Sequence, residues 1–239
     1  MASDIIPRRK LHEELADRLE ALILSEDYSP GDQLPSEREL MERYGVGRPT
    51  VRQALATLER MGLVRIASGE RARVTKPSPK VLTDTLSGTV KHMLADEDGV
   101  RHFQMARLFF ESGLARWAAE HATEEDIARL RAALEENRRH IHDPAEFNRT
   151  DVGFHYVLAM IPSNPIFVAL HEALVGWLTE QRTISLRNEG ASRHAFRAHE
   201  KIYEAVAARE PERAEQAMRA HLLDVSTLYW AQMDISGED

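Results

Sequence analysis

Asp151 and His155 are four residues apart in a segment where Phe147, Phe154 and Leu158 fall on the same side. A helix there turns a carboxylate and an imidazole inward together. Two further histidines keep similar company: His199 with Phe196, Ile202, Tyr203 and Val206, and His221 with Ala217, Met218, Val225 and Leu228. One inward-facing histidine is usually a core residue with a hydrogen-bond partner. A carboxylate and three neutral imidazoles converging from three helices instead make a borderline-soft N/O site, suited to Zn²⁺ and also to Ni²⁺ or Mn²⁺. The chain has no cysteine, so any metal must use His, Asp or Glu. Disulfide scaffolds, thiol nucleophiles and cysteine-rich zinc fingers are excluded on the same ground. Arg107 and Glu111 form another pair at helical spacing, flanked by Phe103, Phe110 and Leu114. They either close an intrahelical salt bridge or leave Arg107 to grip an anionic ligand bidentately. The other histidines, His171 among them, share no facing and are expected on the surface or in the core. Met105, Met160, Met218 and the three tryptophans are expected to pack.

A second kind of chemistry lies near the N-terminus. The net charge of −8 argues at first against a nucleic-acid partner, but it is unevenly spread. Residues 1–76 hold 13 basic and 13 acidic residues, so the whole excess of acid belongs to residues 77–239. Between residues 43 and 76, eight basic residues face only Glu59 and Glu70. Such a local excess suits a surface that meets phosphates.

These side chains need elements to position them. Leu11, Leu15, Leu19, Leu22 and Ile23 recur at helical spacing and predict an amphipathic helix from Lys10 to Glu26. Ser36 with Glu39 three residues on is a capping-box signature that starts a second helix. Tyr44 to Gly47 ends it, and Pro49 fits the first turn of a third, Thr50 to Met61, with Val51, Leu55 and Leu58 on its apolar side. Leu63 to Ile66 and Arg71 to Val74 alternate like strands around the turn Ser68-Gly69. Two short helices around a glycine turn, followed by a basic hairpin, read as a winged helix-turn-helix over residues 1–76. The third helix can enter a DNA major groove, where Arg48 and Arg52 would donate to guanine edges or phosphates.

Thr75 to Lys80 contains two prolines and reads as a semi-rigid linker, cut at residues 77–81. Residues 82–234 show no strand-like alternation and about seven helical segments, at about 82–95, 99–121, 124–142, 144–161, 165–187, 193–209 and 211–234. The fold class is therefore mainly α, a winged head followed by an all-α helical bundle. No segment is apolar enough to span a membrane, and the first ten residues lack the apolar core of a signal peptide. The expected location is the cytoplasm.

The run Leu34-Pro35-Ser36-Glu37-Arg38-Glu39-Leu40, followed by Gly45-Val46-Gly47-Arg48-Pro49-Thr50-Val51-Arg52-Gln53-Ala54-Leu55, resembles the GntR superfamily of bacterial regulators. The resemblance implies DNA contacts from Arg38, Arg48 and Arg52, with Thr50 and the wing-tip Gly69 close to the backbone. Gly47 and Pro49 stand where many relatives carry Ser or Thr, so hydroxyl contacts are not expected there. Most of residues 82–228 resembles the FCD sensor domain of the FadR subfamily through Asp151-Val152-Gly153-Phe154-His155, His199-Glu200-Lys201-Ile202 and Ala217-Met218-Arg219-Ala220-His221-Leu222. That resemblance implies one metal on Asp151, His155, His199 and His221, a small carboxylate or sugar-acid effector assisted by Arg107, and a homodimer on double-stranded operator DNA. Gly69 to Val74, Arg107 to Ser112 and Ile161 to Phe167 are similar to the branch that governs sialic acid catabolism, which ranks an N-acetylneuraminate-like acid above other carboxylates. The same Asp and His set would also serve a metal-dependent hydrolase or oxygenase. Catalytic zinc usually keeps three protein ligands and an open position; four are available here, and no His-Glu-x-x-His segment accompanies them.

Overall fold

A computed structural model describes residues 10–25, 28–188 and 190–236. The chain divides into two compact units, Met1–Thr85 and Leu86–Asp239, each with its own core.

In the first unit, α1 (Leu11–Leu24) packs on α3 (Arg48–Arg60), and α2 (Glu37–Tyr44) packs on α3 as well. Glu26, where periodicity placed the end of the first helix, lies outside the described residues. The capping box at α2 forms as expected: the Glu39 amide donates to Ser36 Oγ at 3.3 Å and the Ser36 amide to the Glu39 carboxylate at 2.7 Å. Gly45 ends α2 in the left-handed region, φ 65°, which a residue with a Cβ adopts at a cost. Leu15, Leu19, Leu34, Leu40, Val51, Leu58 and Val64 close the core.

The wing is shorter than its sequence pattern. β1 (Val64–Arg65) and β2 (Arg73–Val74) pair antiparallel, Val64 opposite Val74 and Arg65 opposite Arg73. The other edge of β2 is taken by residues 31–34: the Val74 amide donates to the Asp32 carbonyl and the Leu34 amide to the Ala72 carbonyl, each at 2.8 Å. Backbone groups at this end of the wing are thus satisfied from two sides, while Ile66 to Glu70 form the tip.

The second unit is all helical among the described residues. α4 (Lys80–Met93) begins directly after the Pro-rich segment and crosses the division between units. Then follow α5 (Glu97–His121), α6 (Glu124–Arg139), α7 (Pro144–Met160), α8 (Pro165–Trp177), α9 (Thr179–Ser185), α10 (Ala191–Ala207) and α11 (Pro211–Ser236). α11 lies along α5 and α10, and α7 lies between α6 and α8. Side chains cap these helices: Thr123 with Asp126 opens α6, Asp143 caps α7 and Asn164 caps α8. The core joins Ala115 and Ala118 of α5, Leu130 of α6, Phe147, Phe154 and Leu158 of α7, Ile202 and Val206 of α10, and Met218 of α11.

Three expectations are corrected. The helix predicted over 165–187 is two helices, broken at the buried Leu178 (φ −99°, ψ 19°), and the break lets α9 bury Gln181, Arg182 and Ser185. Met105 and Met160 are exposed rather than in the core, whereas Met218 is fully buried. Trp177 and Trp230 pack with their indole N–H groups on Ser87 and Gln104, but Trp117 is largely exposed and stacks on His121.

Candidate functional site

Asp151 and His155 come from α7, His199 from α10 and His221 from α11. All four are buried, and one ligand atom from each lies within 4.8 Å of every other. His199 Nε2 stands 3.3 Å from His221 Nε2 and 3.4 Å from Asp151 Oδ1. Zinc with bonds of about 2.0–2.1 Å in a tetrahedron separates its ligand atoms by about 3.3 Å. Two spacings in the cluster thus already have the length of a tetrahedral edge, and the donor set fits a divalent cation.

Neighbouring groups orient the imidazoles. The Thr150 hydroxyl donates to the Glu146 and Phe147 carbonyls, leaving its lone pair to accept from Asn137 Nδ2 at 2.9 Å. That fixes the Asn137 amide so that its oxygen meets His199 Nδ1 at 2.9 Å. An amide oxygen only accepts, so His199 carries its proton on Nδ1 and points the Nε2 lone pair into the cluster. Glu111 plays a similar part for His155, with one carboxylate oxygen against His155 Nδ1 and the other accepting from Arg107 Nε at 2.7 Å. Arg107 and Glu111 are therefore a buried salt bridge that also reaches the cluster.

Electrostatics agree with ligand roles. Burial pushes the His199 imidazole down to about 3, against the pull of Asp151, and drives His221 well below the usual histidine range. Both are neutral with a free lone pair. Burial opposes ionisation of Asp151, but the Arg182 guanidinium at 2.8 Å, followed by the imidazoles, holds its carboxyl well below the ordinary range. Glu111 is kept ionised against burial by Arg107 and then His155. His171 is core rather than surface: burial pushes it down to about 4 although Glu111 attracts its proton.

Sequence reasoning missed Arg182 and Asn137. Arg182 donates to Asp151 Oδ2 and to the backbone and side-chain oxygens of Asn148. Its burial depends on the break at Leu178, two residues after Gly176, a glycine that the helix expected over 165–187 passes over. Asn137 stands in Glu135-Glu136-Asn137-Arg138-Arg139, a run that looks solvated, yet Asn137 is fully buried.

In the first unit, Arg48 opens α3 and Arg52 follows one turn later, with side chains 61% and 65% exposed. Both turn to Glu37 at the start of α2: Arg52 Nε donates to one carboxylate oxygen at 2.9 Å and Arg48 Nε lies 3.5 Å from the other. Arg38, on α2, is exposed and lies 3.7 Å from Glu42. Thr50 is half-buried in the first turn of α3. Gly69 sits exposed at the wing tip with φ 78°, a conformation that needs glycine.

With both sites described, comparison with known proteins is informative. Residues 11–74 match the profile of "Bacterial regulatory proteins, gntR family", and residues 103–224 match the "FCD domain". The chain is 47% identical over 229 residues to the HTH-type transcriptional repressor NanR of Salmonella newport, covering 95% of this chain and 88% of that one. NanR of Salmonella typhimurium is similar to the same degree, with 87% of its length covered. Among solved structures, Streptococcus agalactiae GntR superposes with a TM-score of 0.61 at 26% identity, over 90% of this chain and 98% of that one. E. coli McbR/YncC, at 16% identity and a TM-score of 0.52, shares the fold. Kinship to named repressors along nearly the whole chain sets aside the hydrolase or oxygenase alternative, and no helix among the described residues is long and apolar enough to cross a membrane. A winged head with paired arginines, joined in one chain to a helical sensor with a buried Asp/His cluster, places this protein in the gntR family of bacterial regulatory proteins, as a DNA-binding transcriptional regulator with an FCD domain.

Proposed function

We propose that this regulator is a cytoplasmic repressor of a catabolic operon, released from double-stranded operator DNA by a sugar acid of the N-acetylneuraminate class. Arg38, Arg48 and Arg52 read the operator, with Thr50 and Gly69 close to its backbone. Asp151, His155, His199 and His221 hold one divalent cation, zinc by preference and nickel or manganese as alternatives. When bound, the cation supplies a Lewis-acid position for an effector carboxylate.

The charge balance of the buried cluster carries this reading. Arg107 offsets Glu111 and Arg182 offsets Asp151, so the protein charges around the imidazoles already cancel. A divalent cation there leaves a buried excess of positive charge, which calls for an anion as further partner. Arg107 and Arg182 both line the adjoining cavity, together with Gln104, Gln181, Ser226 and Tyr229. That cavity measures only about 20 Å³, room for about one water and far too little for a sugar acid. A sugar acid must therefore displace side chains of the short α9, α5 or α11, and this supplies the differential contact that switching requires. Similarity to NanR along 95% of the chain favours a sialic acid among the carboxylates.

The test is a titration of metal-loaded protein on operator DNA. N-Acetylneuraminate should weaken binding by roughly 5–150-fold, as expected for a coupling of about 1–3 kcal/mol, and chelation should abolish the response. Indifference to N-acetylneuraminate and to other sugar acids would overturn the sensing assignment.

The active species is a homodimer, since two heads are needed to grip two half-sites. Phe109 on α5 is 85% exposed and Met105, one turn away, 65% exposed. Such a pair on a helix is best explained by burial against a second copy. Phe109→Glu should shift the protein from dimer to monomer in analytical ultracentrifugation; an unchanged mass would move the interface elsewhere.

A further inference from the structure

The geometry points to Glu37 as a positioning residue that fixes how Arg52 reads a base; this rests on the proposed role of Arg52 in operator recognition. Glu37 is the first residue of α2, fastened by the Ser36 cap, and its carboxylate lies in the first helical turn, where the helix dipole favours negative charge. From that fixed point it accepts a hydrogen bond from Arg52 Nε at 2.9 Å, and its second oxygen is 3.5 Å from Arg48 Nε. Arg48 and Arg52 are one turn apart on α3, so without an acid between them two guanidinium groups would repel one another and swing freely.

The choice of atom matters. A guanidinium can grip guanine O6 and N7 either through its two terminal nitrogens or through Nε and one terminal nitrogen. With Nε engaged by Glu37, only the end-on grip of Arg52 remains, and its plane is held before DNA arrives. A carboxylate next to a DNA-facing arginine also repels phosphates, which weakens binding to arbitrary sequence. Glu37 therefore raises discrimination rather than affinity. Glu39, two residues on, is 3.5 Å from Arg71 of the wing, but it is also committed to the helix cap, so it lacks the same freedom to act on a base-reading group.

The test uses the full-length protein and two duplexes: one selected by the wild type from a randomised library, and a shuffled sequence of equal length and composition. Glu37→Ala should lower the ratio of selected to shuffled affinity about tenfold, the scale of one bidentate contact, with shuffled affinity unchanged or raised. Glu37→Gln, whose amide oxygen can still accept from Nε, should fall between wild type and alanine. On an Arg52→Ala background, Glu37→Ala should change the ratio less than twofold. An unchanged ratio in both Glu37 variants overturns the proposal, and so does an equal drop with Arg52 absent, which would make Glu37 a direct reader of a base. If Arg52→Ala alone leaves the selected affinity intact, the recognition role of Arg52 itself fails. A melting temperature that falls with the ratio would assign the effect to folding and overturn the proposal as well.

Discussion

Arg52→Ala should weaken binding to the selected operator by roughly 5–150-fold, the equivalent of about 1–3 kcal/mol for one bidentate base contact. Fluorescence anisotropy at several salt concentrations checks it. The side chain leaves no core when removed, since it projects from the outer face of α3 while Val51, Leu55 and Leu58 face inward. Melting temperature and effector binding should therefore stay at wild-type values. A loss that is equal on every sequence, with the salt slope reduced by about one, would place Arg52 on a phosphate. No loss at all would remove α3 from recognition.

His199→Ala should abolish metal binding, measured as metal per protomer after dialysis, and with it the response of DNA binding to N-acetylneuraminate. His199 Nε2 stands 3.3 Å from His221 and 3.4 Å from Asp151, so its loss removes one corner of the cluster. The effector-free protein should still bind operator. Asn137→Leu makes the complementary case: all four ligands remain, but the His199 tautomer is no longer fixed. Metal affinity should then drop by about 10–100-fold, the range for an outer partner of a ligating histidine. If the metal were purely structural, His221→Ala would lower thermal stability and leave the effector response untouched.

Much of this was legible in sequence because local rules sufficed. The capping pair Ser36 and Glu39, the stop at Gly45 and the apolar side of α3 each act over a few residues, so the helix-turn-helix could be read directly. The four residues of the buried cluster were legible for the same reason: polar groups on apolar helix faces point inward wherever the helices go, and one core is available to receive them. The resemblance to GntR and FCD sequences then supplied roles that periodicity could not.

What the tertiary structure decided were the partners of those residues. Whether Arg107 and Glu111 bond each other, and that Glu111 continues to His155, depends on how α5 meets α7. Asn137 looks solvated within its charged run and is buried only because α6 turns that one position toward His199. Arg182 reaches Asp151 because the chain breaks at Leu178, a residue that is an ordinary helix former by itself. Glu37 meets Arg52 across 15 residues, a contact set by the packing of α2 on α3. Sequence determined most of the elements and the inward side of their apolar stripes, since those follow from short-range periodicity and capping, but not the break at Leu178 or the burial of Asn137 and Arg182. Which charge meets which was left to the packing of helices distant in the chain, where distances of an ångström separate a free arginine from a paired one.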